Sequence, residues 1–367
     1  MPRTADSEQV DAGMKRILII RLSAIGDVVF ASPLLSALQT RFPDAQIDWL
    51  AEETVAPLVQ YHPHLGEVII WPRAAWRQHW KAWRLLTLAR AMLELRGRLR
   101  ANQYDLVIDA QGLLKSAFLA WLSAAPRRVS FRSKEPTRWF LTERIEKDVS
   151  PVISSEYRAM AGFLGCDTQY FKPAITLPDD ALSWSADFHG GQPYVVFAPF
   201  TTRPQKHWPE RHWQALARAG SDEGWRVVVL GAPADVSAAE RMFAGIPVVS
   251  MVGASSLLES AALVASAALM IGVDTGLTHM GWAFNVPTVA IFGSTCPYRE
   301  LGELRGEVLY LDMACSPCRR RPTCGGAYEC LVDLLPDQVL AAAKRQRHTS
   351  SGSERVIASS ITERETD

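Results

Sequence analysis

At 367 residues the chain exceeds what one hydrophobic core ordinarily serves, so two domains are expected. Its composition, 48% hydrophobic and 21% charged, is that of an ordinary globular protein, and 39 basic residues balance 39 acidic ones. The balance argues against wholesale nucleic-acid binding, and no segment reaches the roughly 18 uninterrupted apolar residues of a membrane span.

Residues 1–13 are polar, lack the apolar run of a secretory signal, and read as a disordered tail. Lys15–Leu22 (KRILIIRL) is a continuous β-branched run suited to a buried parallel strand. The turn SAIGD follows, and residues 28–42 carry apolar side chains at helical spacing. Strands are predicted at Gln46–Glu52 and Glu67–Pro72, then a long basic stretch runs to Asn102. Tyr104–Gly112 predicts a strand, Leu113–Ala124 a helix and Arg127–Phe131 a further strand. Pro173–Pro193, rich in Pro, Asp and Gly, reads as the interdomain connection.

The alternation then restarts, with strands at Tyr194–Phe200, Trp225–Pro233, Pro247–Gly253, Leu269–Gly276 and Pro287–Gly293. Helical patterns lie between them at Trp208–Gly220, Asp235–Gly245, Ser256–Ala267 and Leu277–Asn285. Strands alternating with helices mean βαβ units and parallel sheets. The fold expected is α/β, two Rossmann-like doubly wound domains of the GT-B architecture facing a central cleft. Their bounds are 14–178 and 179–345, with residues 346–367 as a second disordered tail. Ligand-driven closure of the two halves is expected to accompany turnover.

Chemistry-bearing residues gather where strands end. The first strand runs into Arg21-Leu-Ser-Ala-Ile-Gly26-Asp27, which has one glycine and so lacks the dinucleotide fingerprint. Asp27 either faces a ligand or caps the following helix, and spacing alone does not choose. In Thr201-Thr202-Arg203-Pro-Gln-Lys206-His207-Trp208-Pro209, two hydroxyls and a lysine precede a helix start, a combination that can seat a diphosphate. Gly272-Val-Asp274-Thr275-Gly276-Leu-Thr278-His279 is another strand–helix junction, where Thr275 and Gly276 offer amide donors to a phosphate. His279 faces ligand there or packs as a buried histidine. Asp235 follows a strand, a place that takes ribose hydroxyls or caps a helix. Trp71–Arg100 holds eight Arg or Lys against one Glu, with Trp71, Trp76, Trp80 and Trp83 interleaved. Such a run is a solvated helix face or a surface for an anionic amphiphile at a membrane.

Together these segments resemble the ADP-heptose:lipopolysaccharide heptosyltransferases of glycosyltransferase family 9, from about Lys15 to Leu340. The motifs that carry the resemblance are Leu22-Ser-Ala-Ile-Gly-Asp27-Val, Asp48-Trp-Leu-Ala-Glu-Glu53 and Asp109-Ala-Gln-Gly-Leu-Leu-Lys115-Ser. To them are added Thr201-Thr202…Lys206-His-Trp-Pro-Glu210 and Asp274-Thr-Gly-Leu-Thr-His279. They are most similar to the branch that adds the first heptose. The resemblance implies Asp27 as general base, with Lys206 aiding the leaving group. It implies an ADP-heptose site at Thr201, Thr202, Lys206, Asp235, Asp274, Thr275, Gly276 and His279, and acceptor contacts at Gly26, Arg77, Lys81, Gln111 and Lys115. The partners implied are ADP-heptose and Kdo-lipid A, at the cytoplasmic face of a Gram-negative inner membrane, with no nucleic acid. Transfer is expected to invert the anomeric centre and to need no catalytic cofactor.

Cys315-x2-Cys318-x5-Cys324-x5-Cys330 reads as a structural metal site or as free thiols. The rival readings are the branch that adds the second heptose, which that cysteine cluster resembles, a nucleotide-sugar epimerase, and a non-catalytic nucleotide-binding module. A nicotinamide dehydrogenase ranks below these.

Overall fold

In the computed structural model the described residues are 13–295 and 298–347. The expected tails at 1–12 and 348–367 lie outside them. The chain forms two compact units. One reaches Ser150 and includes Ser154–Thr176; the other comprises Pro151–Ile153 and the chain from Leu177.

The first unit holds a six-stranded, wholly parallel sheet: β1 (Arg16–Ile20), β2 (Gln46–Glu52), β3 (Val68–Trp71), β4 (Leu106–Asp109), β5 (Arg127–Phe131) and β6 (Glu143–Ile145). Its order is β3-β2-β1-β4-β5-β6. The central strands are buried on both faces, which is why β1 and β4 read as unbroken apolar runs. In the second unit the strands are β7 (Val195–Ala198), β8 (Val227–Val229), β9 (Val248–Ser250), β10 (Leu269–Val273), β11 (Thr288–Phe292) and β12 (Gly306–Tyr310). They too are parallel, in the order β12-β11-β10-β7-β8-β9. Counted from the first strand of each unit, both sheets follow 3-2-1-4-5-6, the doubly wound order. The direction of winding reverses between β1 and β4 in one unit and between β7 and β10 in the other. Ligands of such sheets bind beyond the carboxyl ends of the strands at that reversal.

Four local features differ from the sequence expectation. The helix expected over 28–42 is two, Ile25–Ala31 and Pro33–Arg41, because Pro33 has no N–H to continue the ladder and sits instead at a helix start. The basic stretch likewise divides into helices Arg73–Lys81 and Leu85–Ala101. Inside the expected connection lies a helix, Asp179–His189, with two acidic residues in its first turn and Gly190 in the left-handed region at its end. Helical backbone also continues through 336–347, where Arg345 pairs with Glu307 at 2.7 Å, so 346 and 347 are not tail. The chain changes units more than once: Ile153 N–H bonds Glu300 O at 2.9 Å in the second, after which helix Ser155–Phe163 packs on Pro33–Arg41 in the first.

Candidate functional site

Each unit gathers its polar side chains at its own winding reversal. In the first, Arg21 follows β1 and is buried, with Nη1 donating to Ala110 O at 3.0 Å just past β4. Its Nη2 meets Asp27 Oδ2 at 2.5 Å. Burial works against the guanidinium charge, but the Asp27 carboxylate outweighs it and holds Arg21 above its ordinary range. Asp27 lies in the first turn of helix Ile25–Ala31, accepts Ala24 N–H at 3.3 Å, and keeps its side chain 48% exposed. The cap and the ion pair coexist on one oxygen, which leaves the other outside both contacts.

Beside it, Gln111 Oε1 accepts Leu22 N–H at 2.9 Å, tying the ends of β1 and β4 together. Gly26 is buried in the Asp27 turn. Glu52, at the end of β2, is a hub: Ser23 Oγ donates to it at 3.2 Å, Arg73 Nη1 at 3.2 Å, and Lys115 Nζ lies at 3.6 Å. Lys115 also stands over the Trp71 ring at 5.5 Å. Burial and the nearby Arg73 lower its pKa, against the pull of Glu52. Asp109 is wholly buried and caps the loop that carries Gln111, accepting Gln111 and Gly112 N–H at 3.0 and 3.1 Å. Burial raises its pKa against these bonds. Arg77 and Lys81 are exposed on helix Arg73–Lys81, and the residue of that helix that reaches Glu52 is Arg73. Sequence reasoning missed Arg21, Arg73 and the role of Glu52. The available signal was that Arg21 and Glu52 end adjacent strands.

In the second unit the reversal holds Lys206 and Asp274. Lys206 Nζ meets Asp274 Oδ2 at 2.6 Å, and His279 Nε2–H donates to Asp274 Oδ1 at 3.1 Å. Thr295 Oγ1 donates to the same carboxylate, a contact the sequence did not disclose. Burial penalises the Asp274 charge, yet His279 and Lys206 together hold its pKa well below the usual carboxylate range. His279 is buried and stacks on Trp282 at 5.6 Å, so it both packs and positions the carboxylate. Thr275 is the N-cap of helix Gly276–Ala283, with extended backbone, and the amides of its first turn start beside Asp274. Thr202 is exposed, and Thr201 O accepts His207 Nε2–H at 2.9 Å, which shapes the loop leading to Lys206. Asp235 Oδ2 accepts Ala232 N–H at 2.9 Å, back across the short turn Pro233–Asp235, and its side chain makes no cap bond to helix Val236–Met242 that follows; its other carboxylate oxygen stays outside that contact.

Cys315, Cys318, Cys324 and Cys330 are free thiols. Among the described residues no three His, Cys, Asp or Glu side chains are placed to hold a metal ion, so the expected ligand set is not assembled. Cys330 is buried close to Gly293, where an added Cβ would stand 3.0 Å from its sulfur, while the other three are only partly covered. Burial, reinforced by the neighbouring thiols, pushes the Cys330 thiol up to about 11.

The family profile of glycosyltransferase family 9 (heptosyltransferase) matches residues 92–328. Lipopolysaccharide heptosyltransferase 1 of Pseudomonas aeruginosa is 33% identical over 320 residues, covering 84% of this chain and 87% of that protein. Lipopolysaccharide heptosyltransferase 2 of Escherichia coli is 25% identical, over 89% and 96%. Among solved structures, Escherichia coli heptosyltransferase WaaC with ADP-2-deoxy-2-fluoro heptose superposes with a TM-score of 0.69 at 28% identity, covering 89% of this chain and 99% of that one.

Proposed function

The chain belongs to glycosyltransferase family 9, the heptosyltransferases, and from that membership we propose that it makes the first heptose transfer of lipopolysaccharide core assembly. In this reading L-glycero-D-manno-heptose passes from ADP-heptose to a Kdo sugar of Kdo-lipid A. The observation that carries it is the Lys206–Asp274 pair at the winding reversal of the second unit, beside the N-terminus of helix Gly276–Ala283. A fixed cation and free amide donors are what a departing diphosphate requires. The choice of branch rests on 33% identity to heptosyltransferase 1 against 25% to heptosyltransferase 2.

Asp27 takes the proton of the acceptor hydroxyl, whose oxygen attacks the anomeric carbon while the bond to the diphosphate oxygen breaks. The sugar inverts and ADP leaves. Arg21, cationic beside Asp27, keeps that carboxylate oriented. Lys206 and the amides at Thr275 and Gly276 take up the charge growing on the leaving group, helped by the Thr201 and Thr202 hydroxyls. Asp274, itself set by His279, fixes the ammonium in place. The remaining oxygen of Asp235 meets the ribose. Gly26, Gln111 and Lys115, with Arg77 and Lys81, receive the anionic acceptor. Because Lys206 and the amides do the work often given to a divalent cation, catalysis is metal-independent. The enzyme works at the cytoplasmic face of the inner membrane, bound peripherally.

The test is ADP release from ADP-heptose with Kdo-lipid A, comparing wild type with Asp27→Asn. Acceptor-dependent release should fall at least ~100-fold in the variant, the scale of general-base loss, and be unaffected by EDTA. Equal activity of the two proteins reduces Asp27 to a helix cap. Loss in EDTA restored by magnesium overturns metal independence, and preference for already heptosylated core moves the chain to the second branch.

A further inference from the structure

The tryptophans of the basic stretch do not share one environment. Trp71 is buried in the core, and Trp76, partly buried, packs edge-on against it at 5.9 Å. Trp80 is 65% exposed, Trp83 83% and Leu86 79%. Helix Arg73–Lys81 buries none of its residues, and Leu85–Ala101 buries only Leu95 and Leu99. These helices therefore contribute Trp76, Leu95 and Leu99 to the core and present further large apolar side chains to solvent.

A segment distant in sequence joins the same flank. Helix Leu85–Ala101 packs against Leu114–Leu122, and that helix packs against the short turn Thr137–Trp139. Here Trp139 is 71% exposed and Trp121 44%. Between these elements, Leu114, Phe118 and Phe140 line a shallow, mainly apolar hollow of about 530 Å³. Around the apolar residues stand the exposed cations Arg77, Lys81, Arg84, Arg90 and Arg138. The nearby Glu135 already accepts Leu114 N–H at 2.5 Å.

We propose that this flank of the first unit is a docking surface for an anionic lipid bilayer, with Trp80, Trp83, Leu86, Trp121 and Trp139 entering the headgroup region. The proposal rests on the reading that the acceptor is lipid-borne, and to Trp80 and Trp83 of the basic stretch it adds Leu86 and the sequence-distant Trp121 and Trp139. Charge decides the occupant. A chain with zero formal net charge has concentrated one sign here, so two copies brought face to face would repel, whereas anionic headgroups are attracted. Indoles flanked by Arg and Lys suit a membrane interface, where the ring body is apolar and the ring N–H stays wet. A deeply apolar protein partner would leave the cations desolvated and unpaired.

The test is co-sedimentation of the full chain with phosphatidylcholine vesicles, with and without phosphatidylglycerol, in the absence of donor and acceptor. Wild type should bind the anionic vesicles, more weakly as salt rises, and bind pure phosphatidylcholine poorly. Trp83→Ser with Leu86→Ser, and separately Trp121→Ser with Trp139→Ser, should each lower partitioning roughly tenfold, as removal of buried apolar anchors predicts. The second pair lies outside the basic stretch, so its ADP release from detergent-dispersed acceptor should stay at the wild-type level and verify folding. Absence of vesicle binding by an enzyme that still transfers heptose sinks the surface and spares the function. Concentration-dependent dimerisation abolished by the same variants assigns the patch to a second copy and overturns the proposal.

Discussion

A carboxylate as enclosed as Asp274 ordinarily resists ionisation, because low-dielectric surroundings disfavour the charged form. His279 Nε2–H and Lys206 Nζ reverse that preference. The folded state therefore releases this proton more readily than the unfolded chain does. Its stabilisation is fully present above the ordinary value of 3.8 and is lost only as pH falls through the depressed folded value. Asp274→Asn removes the counter-charge of a largely buried lysine, which costs about 3 kcal/mol. Urea unfolding at neutral pH measures it. A change within ~0.5 kcal/mol, typical of an inconsequential surface substitution, means that the three groups do not act as a unit.

At the scale of elements, the second unit's site depends on how closely helix Gly276–Ala283 approaches β10. The Thr278 hydroxyl donates to Val273 O at 2.7 Å across the space over Gly272. A Cβ on Gly272 would lie 2.1 Å from that oxygen, and Thr278 is fully buried, so neither partner can move aside cheaply. Gly272→Ala should cost ~1–3 kcal/mol through overpacking and weaken ADP binding by shifting the helix start. Adding Thr278→Ala removes the clashing oxygen, so part of the loss should return in a thermal melt of the double variant. If the second change only adds to the first, the contact between strand and helix is not what requires glycine. In the first unit a comparable role falls to the pair of strand ends, where Gln111 holds Leu22 and Arg21 holds Ala110.

At the scale of the whole molecule, one topology is used twice, and the proposed mechanism divides its chemistry between the two copies. The acidic Asp27 turn belongs to the first unit, and the Lys206 and Asp274 cluster to the second. ADP should therefore protect one unit from hydrogen exchange far more than the other. Slowed exchange should be confined to the amides around 201–207, 231–236 and 274–280. At one hundred times its dissociation constant, ADP should add about 2.7 kcal/mol to the stability of the unit it binds. Protection centred on 21–27 and 109–115 would assign the nucleotide to the wrong half and undo the division of roles.

Much of this was legible in the sequence, because buried parallel strands must be continuously apolar and a doubly wound sheet must alternate them with helices. Strand ends gather polar residues at such sheets, which marked Asp27, Lys206, Asp274 and His279 as candidates, but position left Asp27 and His279 open and their roles came from the family resemblance. Periodicity could not show where Pro33 would divide a helix or that a helix fills 179–189 within a segment rich in turn formers. Nor could it reveal which oxygen of Asp27 is already used, that Thr295 completes the Asp274 cluster, or that Arg73 reaches Glu52 where Arg77 does not. The four cysteines had the spacing of ligands and do lie near one another, yet among the described residues no three of them are placed to hold a metal ion. Spacing along a chain fixes which residues end a strand or share a helix face. Contacts between residues tens of positions apart depend on strand order and helix approach, and only the packed tertiary structure decides those.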